Sequence, residues 1–287
     1  MRHGYGRFVV ARLDLQPGNG RTVLIVVAHA DDVALFIGGT VAAWCDAGYR
    51  IVVVRVTDDR WDSVDLAEEE TIAVNLIEFQ KSCTILGVAE AVDLGEPTDV
   101  LADLSEVRLR EMIIRQIRLH RPYALVTFDP YAMYGEDNQD HHKVAAATDE
   151  AFWTAQFDKH HPEHFSEGLR PHGCFERWYF GRSVQEVTDV IDITTTIDRK
   201  VAAACAHATM MRNYFRQIQM QALTGGWRIE AVESALASQD IEPLLTQMVR
   251  GSSAQVGARH GLDVAEEFRV VRFGGLQPLL DALGTRL

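Results

Sequence analysis

Three apolar runs, at residues 22–28, 51–56 and 123–128, dominate what this chain can fold into. Each is nearly uninterrupted, as expected of a strand covered on both faces. Between the first two lies a stretch of helical character that stops near Ala47-Gly48, and a glycine there suits a helix end. Two buried strands joined by one helix make a βαβ unit and hence a parallel pair. The pattern therefore predicts an α/β fold with a mostly parallel sheet flanked by helices.

The remaining elements follow from the same signals. A helix is expected over 66–86, stopped by Gly87, then a short strand over 91–94 closed by Gly95-Glu96-Pro97. Leu109, Met112, Ile113 and Ile117 recur at helical spacing and predict a helix over 105–120. Another helix is expected over 143–155. Residues 157–175, rich in His and Pro, read as a surface loop or lid. Its His160, His161 and His164 are more simply a solvated cluster than a metal site. Strands at 178–180 and 187–193 precede a long helix over 196–223, two shorter helices flanking Pro243, a strand at 267–271 and a closing helix over 276–287. Residues 1–20, with Phe8-Val9-Val10 and then turn chemistry, read as an edge strand or extended arm. No repeat or linker interrupts the chain, so a single domain over 1–287 is expected, with a core at about 22–211 and an elaboration at 212–287.

Composition narrows the function. The net charge of −13 and pI of about 5.3 argue against nucleic acid and anionic membranes as partners, and suit a neutral or cationic small molecule. No apolar run has the length needed to span a bilayer, and the first residues hold no apolar secretory segment. Cys45, Cys83, Cys174 and Cys205 form no CxxC pair, so they read as buried thiols in a reducing, cytoplasmic setting.

The chemistry concentrates at two strand ends. His29-Ala30-Asp31-Asp32 follows the first run, and a polar stretch from Asp129 to His142 follows the third. In open α/β sheets ligands bind outside the carboxyl ends of the strands. An Asp between strand and helix can also be no more than a helix cap. If the sheet is parallel, both clusters emerge at one edge and can converge. Three ligands from two loops, plus water, is the usual layout of a catalytic zinc site.

These blocks resemble a known family. Ala28-His29-Ala30-Asp31-Asp32 is similar to the Ala-His-Pro-Asp-Asp signature of the PIG-L/LmbE-type metal-dependent N-deacetylases. Phe128-Asp129-Pro130, Tyr134-Gly135 and Asp140-His141 resemble the family's second block, and Asp198-Arg199-Lys200 with Ala206-His207 its later helix motif. The resemblance implies a Rossmann-like sheet and a Zn2+ ion, with Fe2+ as another divalent candidate. It implies His29, Asp32 and His141 as metal ligands and Asp31 as general base. Tyr134 is a candidate donor to the oxyanion, and Asp140 a partner of the site or a helix cap. The implied substrate is an N-acetylated amino sugar or sugar-containing metabolite. A homo-oligomer is compatible with this reading.

The sequence also departs from the family pattern. Ala30 replaces the signature proline, and Asn75 stands where an Arg is common. Asn138 occupies the place of a helper His; it can donate a hydrogen bond but cannot carry positive charge. Glu136 and Asp137 are two extra residues after Gly135, which leaves His142 as an alternative ligand to His141. A non-catalytic binding protein on the same fold is therefore the competing reading. A nucleotide-binding protein fits less well, because two carboxylates replace the glycine-rich phosphate loop.

Overall fold

The computed structural model describes residues 11–12, 15–132 and 135–285. Eight strands form one sheet: β1 (Ala11–Arg12), β2 (Thr22–Val27), β3 (Arg50–Thr57), β4 (Glu90–Glu96), β5 (Ala124–Phe128), β6 (Glu176–Phe180), β7 (Asp189–Asp192) and β8 (Ala265–Arg272). Nine α-helices accompany them among the described residues: α1 (Gly38–Asp46), α2 (Glu68–Leu86), α3 (Glu106–His120), α4 (Gln139–Thr154), α5 (Ile197–Cys205), α6 (Ala208–Thr224), α7 (Glu230–Ser238), α8 (Glu242–His260) and α9 (Gln277–Leu283). The strand order is β1-β7-β8-β6-β5-β2-β3-β4. Strands β2 to β6 pair in parallel, while β8 runs antiparallel to β6 and β7.

The alternation along each central strand sorts its side chains between two layers. Val23, Ile25 and Val27 of β2 and Ile51 and Val53 of β3 face one core with Val41, Phe79 and Phe215 from helices. Leu24 and Val26 of β2 and Val52 and Val54 of β3 face the other, with Ile113 and Ile117 of α3 and Val144 of α4. A strand covered on both sides has no place for alternating polar residues, which explains the unbroken apolar runs. The exception is Arg55, fully buried in β3, whose guanidinium is paired with Asp59 and Asp93.

The chain leaves β2 outward to β3 and β4, then returns to place β5 on the other side of β2. The β2–β5 boundary is thus the point where the direction of winding reverses, and there the two following loops diverge and leave a crevice. Both polar clusters of the sequence leave these two strands.

Several boundaries differ from expectation. Helix α4 begins at Gln139, four residues early, because the Asn138 side chain accepts from the backbone N–H groups of Asp140 and His141. Asp140 and His141 therefore sit on the first helical turn. The expected long helix over 196–223 is two helices, α5 and α6, divided at Ala206 and His207. The break is held from outside: Glu78 of α2 accepts from the backbone N–H and hydroxyl of Thr209 and so caps α6. Pro243 lies in the first turn of α8, a 19-residue helix, where its missing N–H costs nothing.

Residues 157–175 are tied down. The buried Arg118 of α3 donates to the carbonyls of Ala155, Phe157, His160 and His161. His164 is buried against Glu111 at 2.7 Å, so the three histidines do not converge on a metal site. Of the expected N-terminal arm, Ala11–Arg12 pairs with β7 at the sheet edge, and Phe8-Val9-Val10 lie outside the described residues. All four cysteines are free thiols. Among the described residues no helix is long and apolar enough to cross a membrane.

Candidate metal centre

The loop after β2 folds back on itself: the His29 backbone N–H donates to Asp32 Oδ2 at 2.8 Å. A neighbouring strand holds it from the side. Asp59, after β3, accepts from the Ala30 N–H at 3.1 Å and from Arg55 at 2.8 Å. The chain then enters a single wide π-type turn, Val33–Ile37, before α1. Such turns recur at functional sites. Gly39 lets α1 lie close to the sheet, since a Cβ there would come within 2.7 Å of Ile193. The first N–H groups of α1, from Gly39 and Thr40, are taken by Glu266 of β8, itself paired with the buried Lys200 at 2.6 Å. The π-type turn is thus clamped at its far end.

His29, Asp32 and His141 converge across the β2–β5 crevice, all three buried, with ligand atoms within 4.8 Å of one another. His29 Nδ1 stands 3.1 Å from His141 Nε2, and His141 Nε2 stands 3.1 Å from Asp32 Oδ1. Two nitrogens on a tetrahedral zinc, at bond lengths of about 2.0–2.1 Å, lie about 3.3 Å apart. The remaining nitrogen of each ring faces a carboxylate. His141 Nδ1 is 3.0 Å from Glu136 Oε2, and His29 Nε2 is 3.7 Å from Asp140 Oδ2. Carboxylates behind imidazoles are the usual outer partners of metal-bound histidines, fixing tautomer and ring orientation. Phe128 stacks on His141 with centroids 4.0 Å apart, which fixes the ring plane as well.

The electrostatics show that this cluster draws positive charge. Burial opposes protonation of His29, yet the Asp140 and Asp32 carboxylates outweigh it and hold its pKa up at about 10. Burial likewise opposes protonation of His141, and Asp32 and Glu136 raise it to about 9. Burial tends to raise Asp32, but the facing imidazoles His141 and His29 bring it below the usual carboxylate range. Asp31 behaves in the opposite way. Burial first, then the charge of Asp32, push it up to about 8, and among the described residues neither of its oxygens has a hydrogen-bond partner. A buried polar group left unpaired asks for an explanation. A donor set of two imidazoles and a carboxylate, backed by two further carboxylates and flanked by an orphaned one, fits a divalent cation.

The other expected site residues fall as follows. Asn138 lines the cleft above the triad, but its Oδ1 is committed to capping α4, at 2.8 Å from the Asp140 N–H. Asp140 accepts the Asp99 N–H at 2.7 Å and lies behind His29. His142 turns away, its Nε2 at 3.1 Å from the Glu136 carbonyl. Tyr134 lies outside the described residues. Glu136, met in the sequence only as an extra loop residue, is one missed member of the cluster. Its signal was a carboxylate five residues before a ligand histidine, in a loop reversed at Gly135 (φ 82°). His207, which the later motif singled out, is fully buried with both ring nitrogens unpaired, and burial lowers its pKa to about 3.

Comparison with known proteins agrees with this geometry. The chain is 27% identical over 192 residues to the diacetylchitobiose deacetylase of Thermococcus kodakarensis, covering 65% of this chain and 69% of that one. It is 26% identical over 297 residues to a 1D-myo-inositol 2-acetamido-2-deoxy-alpha-D-glucopyranoside deacetylase of Catenulispora acidiphila, covering 86% and 88% of the two chains. The fold matches the N,N'-diacetylchitobiose deacetylase of Pyrococcus horikoshii with a TM-score of 0.71 at 21% identity, over 93% of this chain and 92% of that one. The PIG-L pattern, described as GlcNAc-PI de-N-acetylase, matches residues 24–152, the stretch that carries both loops of the triad. Through that stretch the chain is similar to the PIG-L, or LmbE-type, deacetylases.

Proposed function

We propose that this protein is a metal-dependent amide hydrolase that removes the acetyl group from an N-acetylated amino sugar or sugar derivative. The observation that carries the reading is Asp31: a buried, unpaired carboxylate next to a buried His-Asp-His cluster. His29, Asp32 and His141 would hold the ion, with zinc first and Fe2+ second among the metals this donor set suits. A divalent cation there supplies a polarised amide carbonyl and water of lowered pKa. Asp31 takes the proton from the attacking water and delivers it to the departing amine; both its oxygens are free to do so. Glu136 and Asp140 keep the two imidazoles in their ligand orientation. The Asn138 amide N–H2 and the Tyr134 hydroxyl are the donors offered to the developing oxyanion. The sheet, which runs from β1 at one edge to β4 at the other and takes in strands from Ala11–Arg12 to Ala265–Arg272, supports a single domain.

The test is metal content followed by acetate release. Wild-type protein loaded with zinc should retain about one ion per chain, and Asp32→Ala should retain none. Zinc-loaded wild type should then release acetate from N-acetylglucosamine or its glycosides. The absence of metal after loading, or of acetate from every compound, refutes the reading. Metal retention without turnover, unchanged by Asn138→His, would instead select a binding protein, the role that the committed Asn138 side chain favours.

A further inference from the structure

The cleft over the triad encloses about 780 Å³ and has two unlike halves. One is the pair of loops that carry Asp31, Asp32 and His141. The other is the facing surface of α6 and α8, where Tyr214, Ile218 and Met248 reach the cleft opposite Leu35 and Phe36. Met248 is 43% exposed, and Ile218 is only partly covered. This volume is typical of sites that enclose a whole small molecule, for which clefts of about 300–1,000 Å³ are usual. The apolar wall and the triad are therefore parts of one continuous site.

The charge of the cleft limits what can lie there. Asp31, Asp32 and Asp99 line it, and Arg182 is its one Lys or Arg among the described residues. That guanidinium is already paired with Glu136 and sits 5.8 Å from the centre of the Phe36 ring. Away from the triad a phosphate would meet Asp99 and Asp137 and the single guanidinium of Arg182, whereas an uncharged apolar group would cover Ile218 and Met248. Both helices of the wall lie beyond residue 152, outside the stretch that the PIG-L pattern matches.

We infer that the α6–α8 wall is an aglycone subsite, and that the substrate is an uncharged N-acetyl amino sugar carrying an apolar group, not a sugar phosphate. This rests on the hydrolase reading above. The test compares free N-acetylglucosamine, its 4-nitrophenyl and octyl glycosides, and its 1-phosphate, with the zinc-loaded full chain. The glycosides should exceed the free sugar at least tenfold in kcat/KM, mainly through KM, and the 1-phosphate should be the poorest of the four. The double substitution Ile218→Gln, Met248→Gln should return the glycoside-to-sugar ratio toward one. Cleavage without preference, or a preference that the double variant keeps, overturns the subsite and leaves the hydrolase reading standing. If no compound is cleaved, calorimetric binding decides: at least tenfold tighter binding of the octyl glycoside than of the sugar supports the subsite, and equal binding overturns it. Light scattering covers the remaining occupant. A fall in mass of the double variant with no change in preference would assign the wall to a second copy of the chain, and overturn the proposal.

Discussion

Glu136 offers the sharpest test of how the cluster is held. Its Oε2 lies 3.0 Å from His141 Nδ1, and its Oε1 accepts the Asn138 N–H at 3.0 Å and faces Arg182 at 3.3 Å. Replacing it by Gln keeps the size and polarity of the group behind the ring and removes its charge. Replacing it by Ala removes the group as well. Losses of outer partners of this kind typically cost 10–100-fold in metal affinity. The structure assigns the two ends of that range: about tenfold, or about 1.4 kcal/mol, for Glu136→Gln, and about a hundredfold for Glu136→Ala. Competition against a chromophoric zinc chelator at fixed pH reads both directly. Asp137 is the control, because its side chain is 94% exposed and stands 4.0 Å from Arg182. Asp137→Asn should stay within about twofold of wild type. If Glu136→Gln and Glu136→Ala weaken zinc equally and by less than about threefold, the carboxylate does not position His141 and the argument fails.

Three further outcomes are expected. Asp31→Asn should keep its zinc yet lose about 10²–10⁴-fold in kcat, measured by acetate release; loss of the metal with the activity would place Asp31 among the ligands instead. Lys200→Met should leave Glu266 charged and buried with only the Gly39 and Thr40 N–H groups, costing about 3 kcal/mol, or roughly 5–10 °C in Tm by calorimetry; a change under about 1 kcal/mol would show the ion pair to be dispensable. His207, held neutral by burial with a pKa of about 3, makes stability fall as pH drops below its unfolded value of about 6.5, because the unfolded chain then binds the extra proton. Relative to wild type, His207→Leu should therefore gain about 2 kcal/mol between pH 6.5 and 5 in urea unfolding, and parallel curves for the two proteins would contradict this.

What could be read from the sequence follows the range of the forces involved. The buried strands β2, β3 and β5 were legible because covering both faces of a strand leaves no choice of residue, and their polar ends marked the site. The polar loops pointed to His29, Asp31 and Asp32 as candidates, while the choice of His141 came from the resemblance with His142 left open; the fold brings His29, Asp32 and His141 together and turns His142 away. The contacts that refine the site are long-range and leave no local trace. Nothing in the alanine-rich stretch around residue 206 signals a break, since the cap on α6 comes from Glu78, 131 positions earlier. The early start of α4 was a missed local signal, an Asn at the cap position. Arg55 was another: a lone cation between Val54 and Val56 in a buried strand must find carboxylates, and Asp59 and Asp93 supply them. The histidines at 160–164 read as a solvated cluster in sequence, yet His164 is buried, and their backbone carbonyls and the His164 ring serve to satisfy Arg118 and Glu111.

The position of β8 between β6 and β7 has a consequence for how the molecule is made. The segment Ala265–Arg272 is made after every other described strand of the sheet, yet it joins β7 and the edge strand β1 to the rest. It also delivers Glu266 to the start of α1 and Arg269 to Asp129 beyond β5. During synthesis the β2–β6 pairing can form early, but the crevice wall stays unclamped until this strand is inserted. Assembly therefore waits on a contact of very large sequence separation, the kind that closes slowly and exposes unpaired strand edges in the meantime. A nascent chain of this protein holds the loops of its His-Asp-His cluster long before it holds them still.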